Sequence, residues 1–173
     1  MNKLIFIIAI FAFQLSFSQE DSTRGYKVKV GDQVPQLSFA LLDETPISNE
    51  TFKGKVVVLQ FTASWCGVCR KEMPHLEKEV WKRFKNEDFM LIGIDLKEKP
   101  EKVKRFIEQM KVTYPIGIDT DGAIFESFTL PKAGVTRNIV LDKNGKIIFL
   151  SRLYEEKEFQ QMIETIDLEL KKV

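Results

Sequence analysis

The chain has 173 residues, 44% of them hydrophobic and 29% charged, the balance of one globular domain. That excludes a disordered tail, a collagen-like fibre and a multi-span membrane protein. Lys plus Arg number 26 against 25 Asp plus Glu, so no basic excess marks a nucleic-acid partner, and two cysteines are too few for a disulfide-rich scaffold.

The first residues differ from the rest. Met1-Asn2-Lys3 is a short positive start, Leu4 to Phe13 is unbroken and apolar, and Ser16-Phe17-Ser18 supplies small residues before Gln19-Glu20-Asp21. This is the order of a secretory signal peptide, with cleavage expected after Ser18. The apolar run is about half of the roughly 20 residues that a spanning helix needs, so no stable membrane span is expected after cleavage. No cysteine lies near the cleavage site to take a lipid. The expected organisation is a signal peptide over 1–18, a polar leader over 19–33 and one domain over 34–173. Removing the signal takes away one Lys and no acid, which leaves the charges balanced. Export to the periplasm or beyond would put both cysteines in an oxidising compartment.

In chain order, Gln36 to Leu42 reads as an edge strand with Pro35 at its start, where a missing donor does little harm. Pro46 to Lys53 reads as a loop or small hairpin ending at Gly54. Val56 to Phe61, VVVLQF, is short, β-branched and continuous, the pattern of a strand covered on both faces. A helix is expected from about Cys66 to Phe84, with Met73, Leu76, Val80 and Phe84 on its apolar face and a kink at Pro74. Phe89 to Ile94 is a second buried strand. Pro100 suits a first helical turn, and Val103, Phe106, Ile107 and Met110 mark one face of that helix. Tyr114 to Ile118 is a short extended run and Ile124 to Phe128 a helical turn. Thr136 to Leu141 and Ile147 to Leu150 form a hairpin about Asp142-Lys143-Asn144-Gly145. Phe159, Met162, Ile163, Ile166 and Leu170 make a closing amphipathic helix. Strand–helix alternation followed by a hairpin implies an α/β fold, a parallel core extended by antiparallel strands.

Both cysteines fall in Trp65-Cys66-Gly67-Val68-Cys69, after a buried strand and at the opening of a helix. Cys66 at a helix N-terminus faces unpaired N–H groups and the positive end of the macrodipole, which favour a thiolate. Cys69 lies one turn on, within reach of the first sulfur, so the pair can switch between dithiol and disulfide. Three other roles compete. A purely structural disulfide would close a very small loop and stabilise little. A metal site lacks ligands, because His75 is the single histidine and six residues beyond Cys69 it points away from the sulfurs; it reads as a surface helix residue. A peroxidatic cysteine would have a proline upstream where Val58 stands.

The segment VVVLQFTASWCGVCRKEMPHL resembles the active-site segment of the thioredoxin superfamily, and within it the exported TlpA and ResA types of thiol-disulfide oxidoreductase. Gly54-Lys55, Ile94-Asp95 and Leu141-Asp142-Lys143-Asn144-Gly145-Lys146 extend the likeness along the chain. The resemblance implies a thioredoxin-like fold, a central mixed β-sheet flanked by helices, with an N-terminal extension. It implies that Cys66 attacks, Cys69 resolves, and Glu72 takes the Cys69 proton. Trp65, Gly67, Val68, Val135 and Thr136 are the expected substrate-binding residues. The electrons would be carried by the Cys66–Cys69 pair itself, with no bound cofactor and no metal. Implied partners are disulfide-bearing or dithiol proteins and a membrane thiol donor, in tasks such as cytochrome c biogenesis. Thr136 stands where this superfamily carries a cis-proline, so a cis Val135–Thr136 bond is expected, at a cost of about 2.5–4 kcal/mol. A non-catalytic binding module and an exported metal carrier are the alternatives in other classes.

Overall fold

A computed structural model describes residues 23–172; the expected signal peptide and its cleavage site lie outside them. The centre is a five-stranded mixed sheet in the order β5-β4-β3-β6-β7. Its strands are β3 (Val56–Thr62), β4 (Phe89–Leu96), β5 (Ile116–Asp119), β6 (Arg137–Leu141) and β7 (Ile147–Arg152). β3 runs parallel to β4 and β4 to β5, while β6 lies antiparallel to both β3 and β7. A small hairpin of β1 (Ser38–Ala40) and β2 (Pro46–Ser48) leads into the single turn α1 (Asn49–Phe52). The mixed sheet flanked by helices is the α/β architecture expected from the sequence.

All seven residues of β3 are buried, which explains its unbroken apolar run: the strand has no solvent face. Val57, Leu59 and Phe61 point to one side, where Phe61 packs edge-on against Phe125 and Phe128 of α5 (Ala123–Phe128). Val56 and Val58 point to the other, into a core with Met73, Leu76, Val103, Phe106, Met162 and Ile166. Those come from the active-site helix α2 (Gly67–His75) and its continuation, from α4 (Pro100–Met110) and from α6 (Glu156–Leu170).

Pro74 lies within α2, and the following turn, Leu76–Trp81, widens to π-helical spacing before α3 (Lys82–Phe84) closes the run. Proline removes one intrahelical bond and its ring crowds the preceding turn, so the helix accommodates it by a local change of pitch. The kink expected at Pro74 takes this form.

The leader, read from the sequence as a polar stretch without period, packs on the domain. Residues 23–33 are tied to the domain through Tyr26, which is buried and donates its hydroxyl to the Ser151 carbonyl of β7. Arg24 pairs with Glu158 of α6, and Gly31 and Gln33 contact the β6–β7 hairpin. A stretch without periodicity is thus held by individual anchors rather than by an element of its own. Tyr26→Ala should lower the unfolding free energy by about 3 kcal/mol, and Tyr26→Phe by about 1 kcal/mol, read from urea midpoints at constant m-value.

Candidate active site

β3 ends at Thr62, the chain turns through Ala63, Ser64 and Trp65, and α2 opens at Gly67 with Cys66 as its N-cap. The turn is fixed from outside: the Glu98 carboxylate accepts from both the backbone N–H and the hydroxyl of Ser64, and Arg70 donates to the Ser64 carbonyl at 2.8 Å. Lys102 pairs with Glu98. Cys66 Sγ accepts the Cys69 N–H at 3.1 Å, so the sulfur itself satisfies one of the orphan donors of the first turn. Cys66 and Cys69 are joined as a disulfide with their Cα atoms 5.3 Å apart. Once the bond is reduced, an N–H bond to a charged acceptor contributes about 1.5–3 kcal/mol and the helix terminus about 0.3–1 kcal/mol, and both act on the thiolate form of Cys66.

Trp65 is 63% exposed at the rim, while Cys69 is wholly buried. Gly67 sits in open space and Val68 packs its side chain against the core. Val135 is also in the core, so its side chain does not line a surface. Thr136 is buried beside the sulfurs: its Oγ1 lies 3.1 Å from Cys66 Sγ and 3.3 Å from Cys69 Sγ. The Val135–Thr136 peptide is trans, as are all peptide bonds among the described residues, and the expectation of a cis bond is corrected. Without a proline ring the trans preference of an ordinary amide prevails, and on this trans backbone the threonine side chain reaches both sulfurs. The Thr136 carbonyl already accepts from the Leu153 N–H, which occupies one of the groups an extended substrate would need.

Glu72 follows Cys69 by three residues on α2 and is 1% exposed. Its two carboxyl oxygens are held by side-chain amides: Asn138 Nδ2 donates to Oε1 at 2.6 Å and Gln60 Nε2 to Oε2 at 3.3 Å. Gln60 in turn accepts from the Tyr114 hydroxyl at 2.8 Å, and Asn138 Nδ2 also donates to Ser151 Oγ. Gln60, Asn138 and Ser151 stand opposite one another across β3, β6 and β7. Gly93 completes the row on β4; a Cβ there would meet Ile116 Cδ1 at 2.3 Å and Tyr114 Cε2 at 3.3 Å, so a larger residue would displace the Ile116 side chain and crowd the tyrosine ring. Burial pushes the Glu72 carboxyl up to about 7, with the Asn138 and Gln60 bonds opposing it. A group near neutrality can take or release a proton there at little cost.

Gln60 was visible as the single polar residue of an apolar strand, but Asn138, Tyr114 and Ser151 were not expected at the site. The signal that could have found them is parity: Gln60 and Asn138 share the helix-facing phase of their strands with Val58 and Val140. A second buried acid, Asp95 at the end of β4, has no hydrogen-bond partner among the described residues. Burial, and then the nearby Glu98, push it up to about 8. His75 bonds Glu79 at 2.8 Å and stacks on Tyr154, away from the sulfurs. Among the described residues no group of three or more His, Cys, Asp or Glu could hold a metal ion, and no helix is long and apolar enough to cross a membrane.

A thioredoxin-type sheet whose central strand delivers a Cys-x-x-Cys pair to a helix N-terminus defines a thiol-disulfide oxidoreductase, and that is the class of this enzyme. Comparison with known proteins gives the family: the Redoxin model matches residues 29–166, and the chain belongs to it. The thiol-disulfide oxidoreductase ResA of Bacillus thuringiensis subsp. konkukian (strain 97-27) is 29% identical over 178 residues, which cover 99% of this chain and 97% of that protein. A solution structure from Bacteroides thetaiotaomicron, provisionally assigned as a protein disulfide isomerase, is 48% identical, with a TM-score of 0.82 over 86% of this chain and 94% of that one. A thiol:disulfide interchange protein from Bacteroides sp. is 26% identical, with a TM-score of 0.70 over 84% and 94% of the two chains.

The elevated Glu72 has a thermodynamic signature. Between its ordinary value of 4.5 and about 7 the folded protein holds a proton that the unfolded chain has released. Its contribution to stability therefore falls as pH rises through that window and levels off above it, by up to ~3 kcal/mol. Glu72→Gln should flatten this part of the stability–pH curve, measured by urea denaturation of the oxidised protein from pH 4.5 to 7.5. A curve as steep as the wild type's would place the retained proton elsewhere.

Proposed function

We propose that this enzyme reduces disulfides in exported protein substrates, drawing its electrons from a membrane thiol donor and holding them in the Cys66–Cys69 pair without a bound cofactor. The Cys66 thiolate attacks a substrate disulfide; one substrate sulfur leaves as thiolate and a mixed disulfide forms. Cys69 then gives its proton to the Glu72 carboxylate and attacks Cys66 Sγ. The second substrate sulfur leaves, and two electrons have passed to the substrate as the intramolecular disulfide closes. Reduction by a donor dithiol restores the starting state.

The observation that carries this reading is a division of labour between the sulfurs. Cys66 keeps 7% of its surface accessible behind the exposed Trp65 and has an N–H aimed at it, while Cys69 has none and lies one turn before an acid raised to about 7. Such an asymmetry suits one attacking and one resolving thiol. Trp65, Gly67 and Val68 form the rim that a substrate would meet, and beside the sulfurs the loop backbone at Val135 is left to pair with an extended substrate segment. The signal-like start of the sequence, ending at Ser18, supports action outside the cytoplasm in the periplasm. A reducing role there includes service to cytochrome c biogenesis, where thiols must be kept open for haem attachment.

Reduction of insulin disulfides by the full mature chain, with dithiothreitol as donor, tests the reading. Cys66→Ser should abolish turnover. Cys69→Ser should also abolish it and should accumulate a mixed disulfide, visible as a mass increase that a reductant reverses. Glu72→Gln should slow release from the mixed disulfide about 10²-fold at pH 7 while leaving its formation unchanged. No turnover by the wild type, with substrate still retained by both serine variants, would make the protein a binding module instead.

A further inference from the structure

The Thr136 hydroxyl touches both reacting sulfurs, at 3.1 and 3.3 Å, from a residue that is 3% exposed. In the disulfide neither sulfur carries a hydrogen, so in both contacts the hydroxyl is the only possible donor. Its position is over-determined. A β-branched side chain has few χ1 choices, the Thr136 carbonyl is bonded to Leu153 N–H, and the neighbouring Arg137 guanidinium reaches back to the Gly134 carbonyl at 3.0 Å. Arg137 is itself buried, bonded to the Arg24 carbonyl and laid over the Tyr26 ring at 4.3 Å. The backbone that presents the hydroxyl to the sulfurs is therefore held from both sides.

We propose that Thr136 is a catalytic residue of the exchange reaction, its hydroxyl donating to the Cys66 thiolate and accepting from the Cys69 thiol in the reduced protein. A hydroxyl has one donor and two acceptor positions, so it can serve both sulfurs at once. Its donation adds to that of the Cys69 N–H, giving the Cys66 thiolate two donors in a largely buried site. The hydroxyl keeps its own proton throughout: the Cys69 proton passes to Glu72, and the electron pair of each attack comes from sulfur. Its effect is to stabilise the thiolate as the attacking and leaving group. A residue there without a donor removes that effect without touching the cysteines.

The inference rests on the exchange chemistry and is independent of the direction in which electrons flow. Thr136→Val keeps the β-branched shape and deletes the hydroxyl; Thr136→Ser keeps the hydroxyl and deletes the methyl. In the reduced mature protein, thiolate absorbance at 240 nm titrated against pH reads the Cys66 pKa, and equilibration with glutathione reads the potential. Thr136→Val should raise the Cys66 pKa by about one unit, tenfold less thiolate below the transition. It should also move the glutathione equilibrium about tenfold toward the disulfide, a potential ~30 mV more negative. Thr136→Ser should stay within about twofold of wild type in both. Wild-type titration in the valine variant, or a serine variant displaced as far as valine, would overturn the proposal, the latter by showing that packing and not the hydroxyl sets the thiol. Neither readout uses a protein substrate, so failure of insulin reduction by the wild type would sink the reductase reading and leave this result standing.

Discussion

One sulfur accepting a backbone N–H at the opening of a helix is the contact on which the rest of the structure converges. It exists only if α2 begins at one residue and no other, and that requires β3 to stop at Thr62 and the chain to reverse within three residues. The sheet supplies the first condition, since β3 is buried on both faces and paired on both edges and so cannot slide. The Glu98–Ser64 and Arg70–Ser64 bonds supply the second, by fixing both the N–H and the carbonyl side of the turn. Burial of the β3 side chains, worth roughly 1.5–3 kcal/mol each, is thus spent on placing a terminus rather than on stability alone.

Beside that terminus the protein keeps polar groups in a layer that could have been apolar. Glu72, Gln60, Asn138, Ser151 and Tyr114 form one hydrogen-bonded set inside the helix-facing core. An unpaired carboxylate there would cost several kcal/mol. The two amides offset part of that cost, and the part left uncompensated is what brings the carboxyl to about 7. Fewer donors would push the carboxyl further up and more would bring it back down. The cage therefore sets a proton affinity, and the stability lost on ionisation is the counterpart of an acid able to exchange a proton near neutral pH.

Much of this was legible from residue patterns. The buried strands, the helix opening at the cysteine pair, the Pro74 irregularity, the Asp142–Gly145 hairpin and the amphipathic α6 follow from periodicity and turn chemistry. The cysteine pair could be placed at that helix opening because its spacing is local, whereas Glu72 was singled out only through the resemblance to the TlpA and ResA types. What periodicity could not show was side chains meeting across strands: Gln60, Asn138 and Ser151 lie far apart in sequence and adjoin only through the antiparallel register of β3, β6 and β7. The short elements, read only as a loop or small hairpin, were left undefined for a related reason. Pro46–Ser48 and Asn49–Phe52 are too brief to carry a period, and their form is set by contacts such as Leu37 N–H to the Asn49 side chain. The trans Val135–Thr136 bond departs from the superfamily analogy because a threonine lacks the ring that makes a cis bond cheap.

The packing of the leader was not legible in its sequence, and it bears on the chemistry. Gly25, at φ 79°, passes so close to Arg137 that a Cβ would lie 2.8 Å from its guanidinium. With the Arg24 carbonyl below and the Tyr26 ring beneath the charge, residues 24–26 form a seat for a cation that pairs with no acid among the described residues. Burial lowers the Arg137 pKa, yet a guanidinium stays charged, so this seat compensates a real desolvation cost. Arg137 in turn closes on Gly134 and fixes the loop that carries Thr136 to the sulfurs. A stretch with no period of its own is therefore part of the active site at second hand: it holds the arginine, the arginine holds the loop, and the loop holds a hydroxyl against the two atoms that exchange electrons.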